Sequence, residues 1–146
     1  MTTSPALSAS FWESFSTNPF HAYLGMSLVE HRFNYARLQL KRTATTPTGI
    51  GGSVNGGVLA TLVDMTAVAA VFAELREGET PAGTADLQIT YLRQTRGDIV
   101  TSEAHVVKRG RQLATIEVKV RDDDDNLCCT ARVLYAFRAT SQEKNS

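Results

Sequence analysis

The run NGGVLATLVDMTAVAAVFAEL, residues 55–75, carries one charged side chain, Asp64, before Glu74. Apolar residues go round nearly the whole cylinder if it is drawn as a helix, so most of its faces must be covered. Val, Thr and Gly lower its intrinsic propensity, so packing against other elements has to hold it together. Gly78 is the natural stop. The stretch Gly56 to Ala73 is only 18 residues long, and a carboxylate at its centre costs about 2.5–3.5 kcal/mol in a bilayer. The reading is therefore a buried helix of a soluble protein rather than a membrane span.

The flanking sequence supplies the cover. After Pro81 the period switches to two: Ala85, Leu87, Ile89 and Tyr91 alternate with Asp86, Gln88 and Thr90. Residues 98–108 read as a second strand, Arg109-Gly110 as a tight turn and 111–121 as a third strand. Asp122 to Asn126 is a polar turn, and Leu127 to Arg138 is a last strand. On the other side of the helix, Met26 to Lys41 reads as a hairpin turning near Asn34, and Thr43 to Ser53 as a Thr/Gly-rich loop. Ser8 to Ser16 and Pro19 to Tyr23 form short helices, the second stopped by Gly25. The expected class is α+β, with the four later strands in an antiparallel meander. One sheet covers one side of a helix, so an apolar cylinder implies a second covering surface. Residues 1–18 are expected to form a helical arm, 19–140 the domain and 141–146 a frayed tail.

Composition excludes several functions. Fifteen Lys and Arg balance fifteen Asp and Glu, which gives no bulk attraction to nucleic acid or an anionic membrane. The two cysteines, Cys128 and Cys129, are adjacent; they close no useful loop, are too few for zinc, and fit a reducing cytosol. His21, His31 and His105 show no ligand spacing, and no glycine fingerprint for phosphates is present. The first sixteen residues lack a basic start and a long apolar core, so they do not read as a signal peptide. The expectation is a cytoplasmic protein with no metal and no cofactor.

Asp64 carries the most information. A carboxylate inside an apolar helix must be paired, hydrogen-bonded or protonated, and no Lys or Arg stands at helical spacing from it. It is either a catalytic acid or a carboxylate bonded to Thr61 or to loop amides. Asn55-Gly56-Gly57 opens the helix, where unpaired amides and the helix dipole favour an oxyanion; equally, Asn55 is an N-cap before permissive glycines. Gly56 and Asp64 lie eight residues apart, about 12 Å along a helix. They cannot flank one reacting carbon within one chain. If they cooperate, Asp64 of one copy meets Gly56 of another across a two-fold axis with antiparallel helices. Thr84 is placed to orient Asp64 or a water, or is simply a strand-edge residue. Lys108, Arg109 and Arg111 form a basic turn that either holds phosphates or is solvated. Val58, Leu59, Met65 and Tyr91 hint at an apolar pocket.

The segments Gly52-Ser53-Val54-Asn55-Gly56-Gly57, Leu62-Val63-Asp64 and Thr84-Ala85-Asp86-Leu87-Gln88-Ile89-Thr90-Tyr91-Leu92 resemble the hotdog-fold acyl-CoA thioesterases, most of all the PaaI-like (phenylacetate-pathway) group. The resemblance covers residues 19–138. It implies a sheet of five or six antiparallel strands wrapped round one long central helix, with dimers joined edge to edge, alone or as a dimer of dimers. It further implies that Asp64 is nucleophile or general base, that the Gly56 amide is the oxyanion donor, and that Thr84 supports the acid. Asn55 stands where the family usually has His. Gly57, Val58, Met65 and Tyr91 would border the substrate, and Lys108, Arg109 and Arg111 would contact the CoA phosphates. The expected activity is hydrolysis of an acyl-CoA to free acid and CoA; the alternative is a non-catalytic acyl-CoA sensor on the same fold.

Overall fold

The computed structural model describes the backbone of residues 5–138 and the side chains of residues 9–138. The frayed tail expected at 141–146 lies outside the described residues. Two short helices come first, α1 (Pro5–Thr17) and α2 (Pro19–Leu24). Asn18 caps α2 by accepting from the Phe20 amide, and Gly25 ends it at φ +84°, where an added Cβ would collide with the Lys41 carbonyl. The hairpin β1 (Met26–Arg32) and β2 (Tyr35–Lys41) turns through Asn34 at φ +63°, as its sequence indicates.

Then come the long helix α3 (Gly56–Phe72) and the strands β3 (Thr80–Tyr91), β4 (Ile99–Arg109), β5 (Leu113–Arg121) and β6 (Leu127–Arg138). All six strands form one antiparallel sheet in the order β1-β2-β4-β5-β6-β3. This corrects the expected four-strand meander. Only β4, β5 and β6 follow one another; β3 lies outside β6 and forms one end of the sheet, while β2 takes the place beside β4. The sheet curls round α3, which buries Leu62, Val63, Thr66, Ala67, Ala69, Ala70 and Val71 completely. Each aliphatic side chain of Leu or Val size so removed from water contributes roughly 1.5–3 kcal/mol. The arm belongs to this core: Phe15 is buried, Phe11 stacks on Phe72 at 4.6 Å and Trp12 on His31 at 4.3 Å.

Two local departures position the site. First, α3 is not covered all round. Thr61, Asp64, Met65 and Val68 stay half-buried and recur at three- and four-residue spacing, so they form one open strip, which ends where Phe11 covers Phe72. Second, β3 is bulged. The register shifts between Pro81 and Gly83 and again between Thr84 and Asp86. Thr84 pairs with buried Tyr135, which turns it toward the helix, although strict alternation with Leu87, Ile89 and Tyr91 would turn it away. The helix also stops at Phe72 rather than running to Leu75, for a reason found in the basic turn described below.

Candidate active site

The start of α3 is built by Asn55. Its side-chain Oδ1 accepts from the Gly57 N–H at 2.8 Å, and its carbonyl accepts from Val58 and Leu59 at 3.0 and 3.1 Å. That leaves the Gly56 N–H with no acceptor among the described residues, at the positive end of the helix dipole. The Gly56 carbonyl instead accepts from the Tyr91 hydroxyl at 2.5 Å, and the Tyr91 ring lies against the glycine. Burial raises the Tyr91 phenol above its usual range, with the nearby Cys129 adding to the effect, so the hydroxyl keeps its proton as a donor.

Two loops wall a slot beside this amide. Before α3, a Thr48–Val54 bridge and the Gly49 amide bonded to the Ser53 carbonyl at 2.6 Å fix the backbone. After β3, the Thr95 hydroxyl accepts from the Val54 N–H at 3.2 Å and ties the second loop to the first. The resulting cavity, about 460 Å³, is bordered by Ile50, Val54, Asn55, Gly56, Leu59, Tyr91, Leu92 and Gln94 among others. It is mainly apolar, and Gly56, whose N–H has no acceptor among the described residues, lies on its wall. The residues after Tyr91 give no periodic signal, so sequence reasoning missed Gln94 and Thr95.

Asp64 lies two turns further along the open strip. Its Oδ1 accepts from the Thr84 hydroxyl at 2.6 Å, and it takes part in none of the described ion pairs. Thr61, the alternative partner, donates to the Gly57 carbonyl instead at 3.0 Å. Asp64 and Thr84 therefore meet, as do Asn55, Gly56 and Tyr91, but the two groups stay separate within one chain. Met65 is half-buried beside Asp64, and Gly57 is exposed. Val58 is not on the lining of the slot, whereas its neighbour Leu59 is.

The basic turn requires a correction. Arg109 is not a free phosphate ligand, because its side chain is 2% exposed. Its Nε donates to both Glu79 oxygens at 2.9 and 3.2 Å, one terminal nitrogen to Asn34 Oδ1 at 2.8 Å, and the other to the carbonyls of Val71 and Glu74 at 3.1 and 3.0 Å. It thus closes the far end of α3, and Leu75 folds into the core instead of extending the helix. Lys108 and Arg111 are exposed on the same turn. Val71 is fifteen residues from Gly56, about 22 Å along the helix. Cys128 and Cys129 are buried, and burial raises their thiols to about 11 and about 12; neither is a poised nucleophile.

The comparisons with known proteins agree with this geometry. The family model of the Thioesterase superfamily matches residues 51–140. The medium/long-chain acyl-CoA thioesterase YigI of Escherichia coli is 27% identical over 130 residues, which covers 80% of this chain and 84% of YigI. Among solved structures, the PaaI protein from the phenylacetic acid degradation operon of E. coli superposes with a TM-score of 0.74 at 20% identity, covering 91% of this chain and 96% of that one. A thioesterase protein with coenzyme A from Streptococcus pneumoniae superposes at 0.73 with 19% identity, covering 88% and 97%. With the central helix, the wrapping six-stranded sheet and this match over most of the domain, the chain belongs to the thioesterase superfamily and has the hotdog fold.

Proposed function

We propose that this chain hydrolyses an acyl-CoA thioester to a free acid and CoA, at a site shared between two copies. The observation that carries the reading is Asp64: a carboxylate on the open strip of an apolar helix, held by one hydroxyl and no cation. The thioester carbonyl accepts from the free Gly56 N–H, which gains strength as negative charge develops on that oxygen. Asp64 of the other copy faces the carbonyl carbon. It takes a proton from water as the water oxygen bonds to that carbon, or it attacks the carbon itself to give an anhydride that water then opens. Either way the C–S bond breaks and the thiolate leaves to take up a proton. Thr84 keeps one carboxylate oxygen fixed while the other acts.

The shared arrangement rests on distance, since about 12 Å separates the two groups along one helix. Two features support a two-fold dimer. The strip of Thr61, Met65 and Val68 is only half-buried, and β3, twelve residues long, ends the sheet with one edge unpaired. The turn of Lys108 and Arg111 lies at the far end of α3 from Gly56 of the same copy, since Arg109 between them binds the Val71 carbonyl. YigI, named for medium and long acyl-CoAs, supports an aliphatic substrate. No described helix is long and apolar enough to cross a membrane, and two free thiols suit a reducing cytosol.

Asp64→Asn is isosteric and keeps a hydrogen-bond partner for Thr84. It is expected to lower turnover of medium-chain acyl-CoAs by about 10²–10⁴, read by free-thiol release, with an unchanged melting temperature. Full activity in that variant would end the mechanism.

A further inference from the structure

A second cavity, about 720 Å³, adjoins the slot and shares Ser53, Arg93, Gln94 and Thr95 with it. Its character is different. Arg42, Arg93 and Arg96 face it over a floor of bare backbone at Gly51 and Gly52, with Asp124 as the one carboxylate on its lining. The simplest account would have these arginines neutralise the acidic turn Asp122 to Asp125. The contacts do not support that account. Asp122 accepts from the amides of Arg96, Asp124 and Asn126 at 3.0, 3.1 and 3.0 Å, and Asp123 accepts from the Asp98 amide at 3.2 Å. None of the three guanidiniums joins a described ion pair. Arg42 donates to the Gly52 carbonyl and Arg93 to Asn126 Oδ1 at 3.1 Å, while the Arg96 guanidinium makes no hydrogen bond among the described residues. Three always-charged forks therefore converge on one open space with most of their donors free.

We propose that Arg42, Arg93 and Arg96 form an anion subsite for the phosphates of the CoA portion of the substrate. This rests on the reading given above, and it moves the phosphate contacts from the Lys108–Arg111 turn to the loops that border Gly56. A thioester carbonyl at the Gly56 amide then has its acyl group and its phosphorylated tail on one continuous surface. Guanidiniums suit the tail because they hold phosphate oxygens through paired N–H donors.

The test uses adenosine 3′,5′-bisphosphate as the probe, with the wild-type chain, R96Q and R93Q/R96Q. Both substituted side chains are exposed, and Arg96 has no partner to lose, so the fold is not at risk. Calorimetric titration is expected to show saturable binding that weakens with salt and falls about tenfold or more in the double variant. The preference for an acyl-CoA over the matching acyl-pantetheine, as a ratio of kcat/KM, is expected to shrink by a similar factor, and R93K/R96K to recover only part of both, because it keeps the charge and loses the paired donors. Unchanged binding and unchanged preference in R93Q/R96Q overturn the subsite while leaving hydrolysis intact. No wild-type binding of the probe overturns it too. Arginine-dependent binding in a protein that hydrolyses no thioester supports the subsite and sinks the enzymatic reading instead.

Discussion

The two ends of α3 are treated in opposite ways. At the C-terminal end, Arg109 takes the orphan carbonyls of Val71 and Glu74, and Glu79, Asn34 and two aromatic faces, Phe33 and Phe137, use the rest of its guanidinium. Its side chain is 2% exposed there. At the N-terminal end, Asn55 satisfies three amides and leaves one, that of Gly56, a residue that borders a cavity. The comparison shows how to separate structure from function in a helix terminus: a saturated end contributes stability, and an end with one unmet donor beside open space is available for chemistry.

The contrast can be tested from both sides. The largest effect is expected at the saturated end. R109A leaves Glu79, 12% exposed, without its partner and should cost about 3 kcal/mol, read as a lower urea midpoint; R109K should recover only part, because a single ammonium cannot reach all five acceptors. A midpoint unchanged by R109A would make this end no different from a solvated turn. The next largest effect is expected at the open end. Gly56→Pro removes the N–H alone: the first helical position tolerates proline, Asn55 already holds the extended backbone that a proline demands, and the nearest ring atoms lie 3.5 Å from a new Cβ. Turnover should fall about 10²–10³ with the melting temperature preserved. A merely structural Gly56 would give the reverse. The smallest effect is expected between the two ends. Thr84→Val should lower kcat about tenfold and Thr84→Ser should restore it, since only the hydroxyl to Asp64 is lost.

These predictions also mark what could be read from the sequence. The helix, the hairpin at Asn34 and the later strands follow from periodicity and turn residues, and the Asn55 cap from residue type alone. The strand order does not follow, because period two records which face a residue occupies and not which neighbour its strand takes; β3 looks like the start of a meander yet pairs with β6. The expected pairing of Thr84 with Asp64 has a geometry that alternation would deny, since a bulge of one residue turns Thr84 inward and no local signal announces it. The basic turn misled for a related reason. Lys108, Arg109 and Arg111 look alike in sequence, but β4 places Arg109 over the end of α3, where burial and four different partners occupy it. The arginines that do face open space, at 42, 93 and 96, are scattered along the chain and meet only in the fold.

The central claim is that each site takes its acid from one copy and its amide from another. Mixing D64N with G56P chains, after unfolding and refolding together, tests it. In a mixed dimer the Asp64 of the G56P copy meets the intact Gly56 of the D64N copy, so one site of the two is whole. The account predicts that activity absent from either variant alone returns to roughly a quarter of wild type in a statistical mixture, half of whose dimers are mixed with one whole site each. No recovery, in a mixture shown to exchange subunits, would place both groups at work within a single chain and contradict the account.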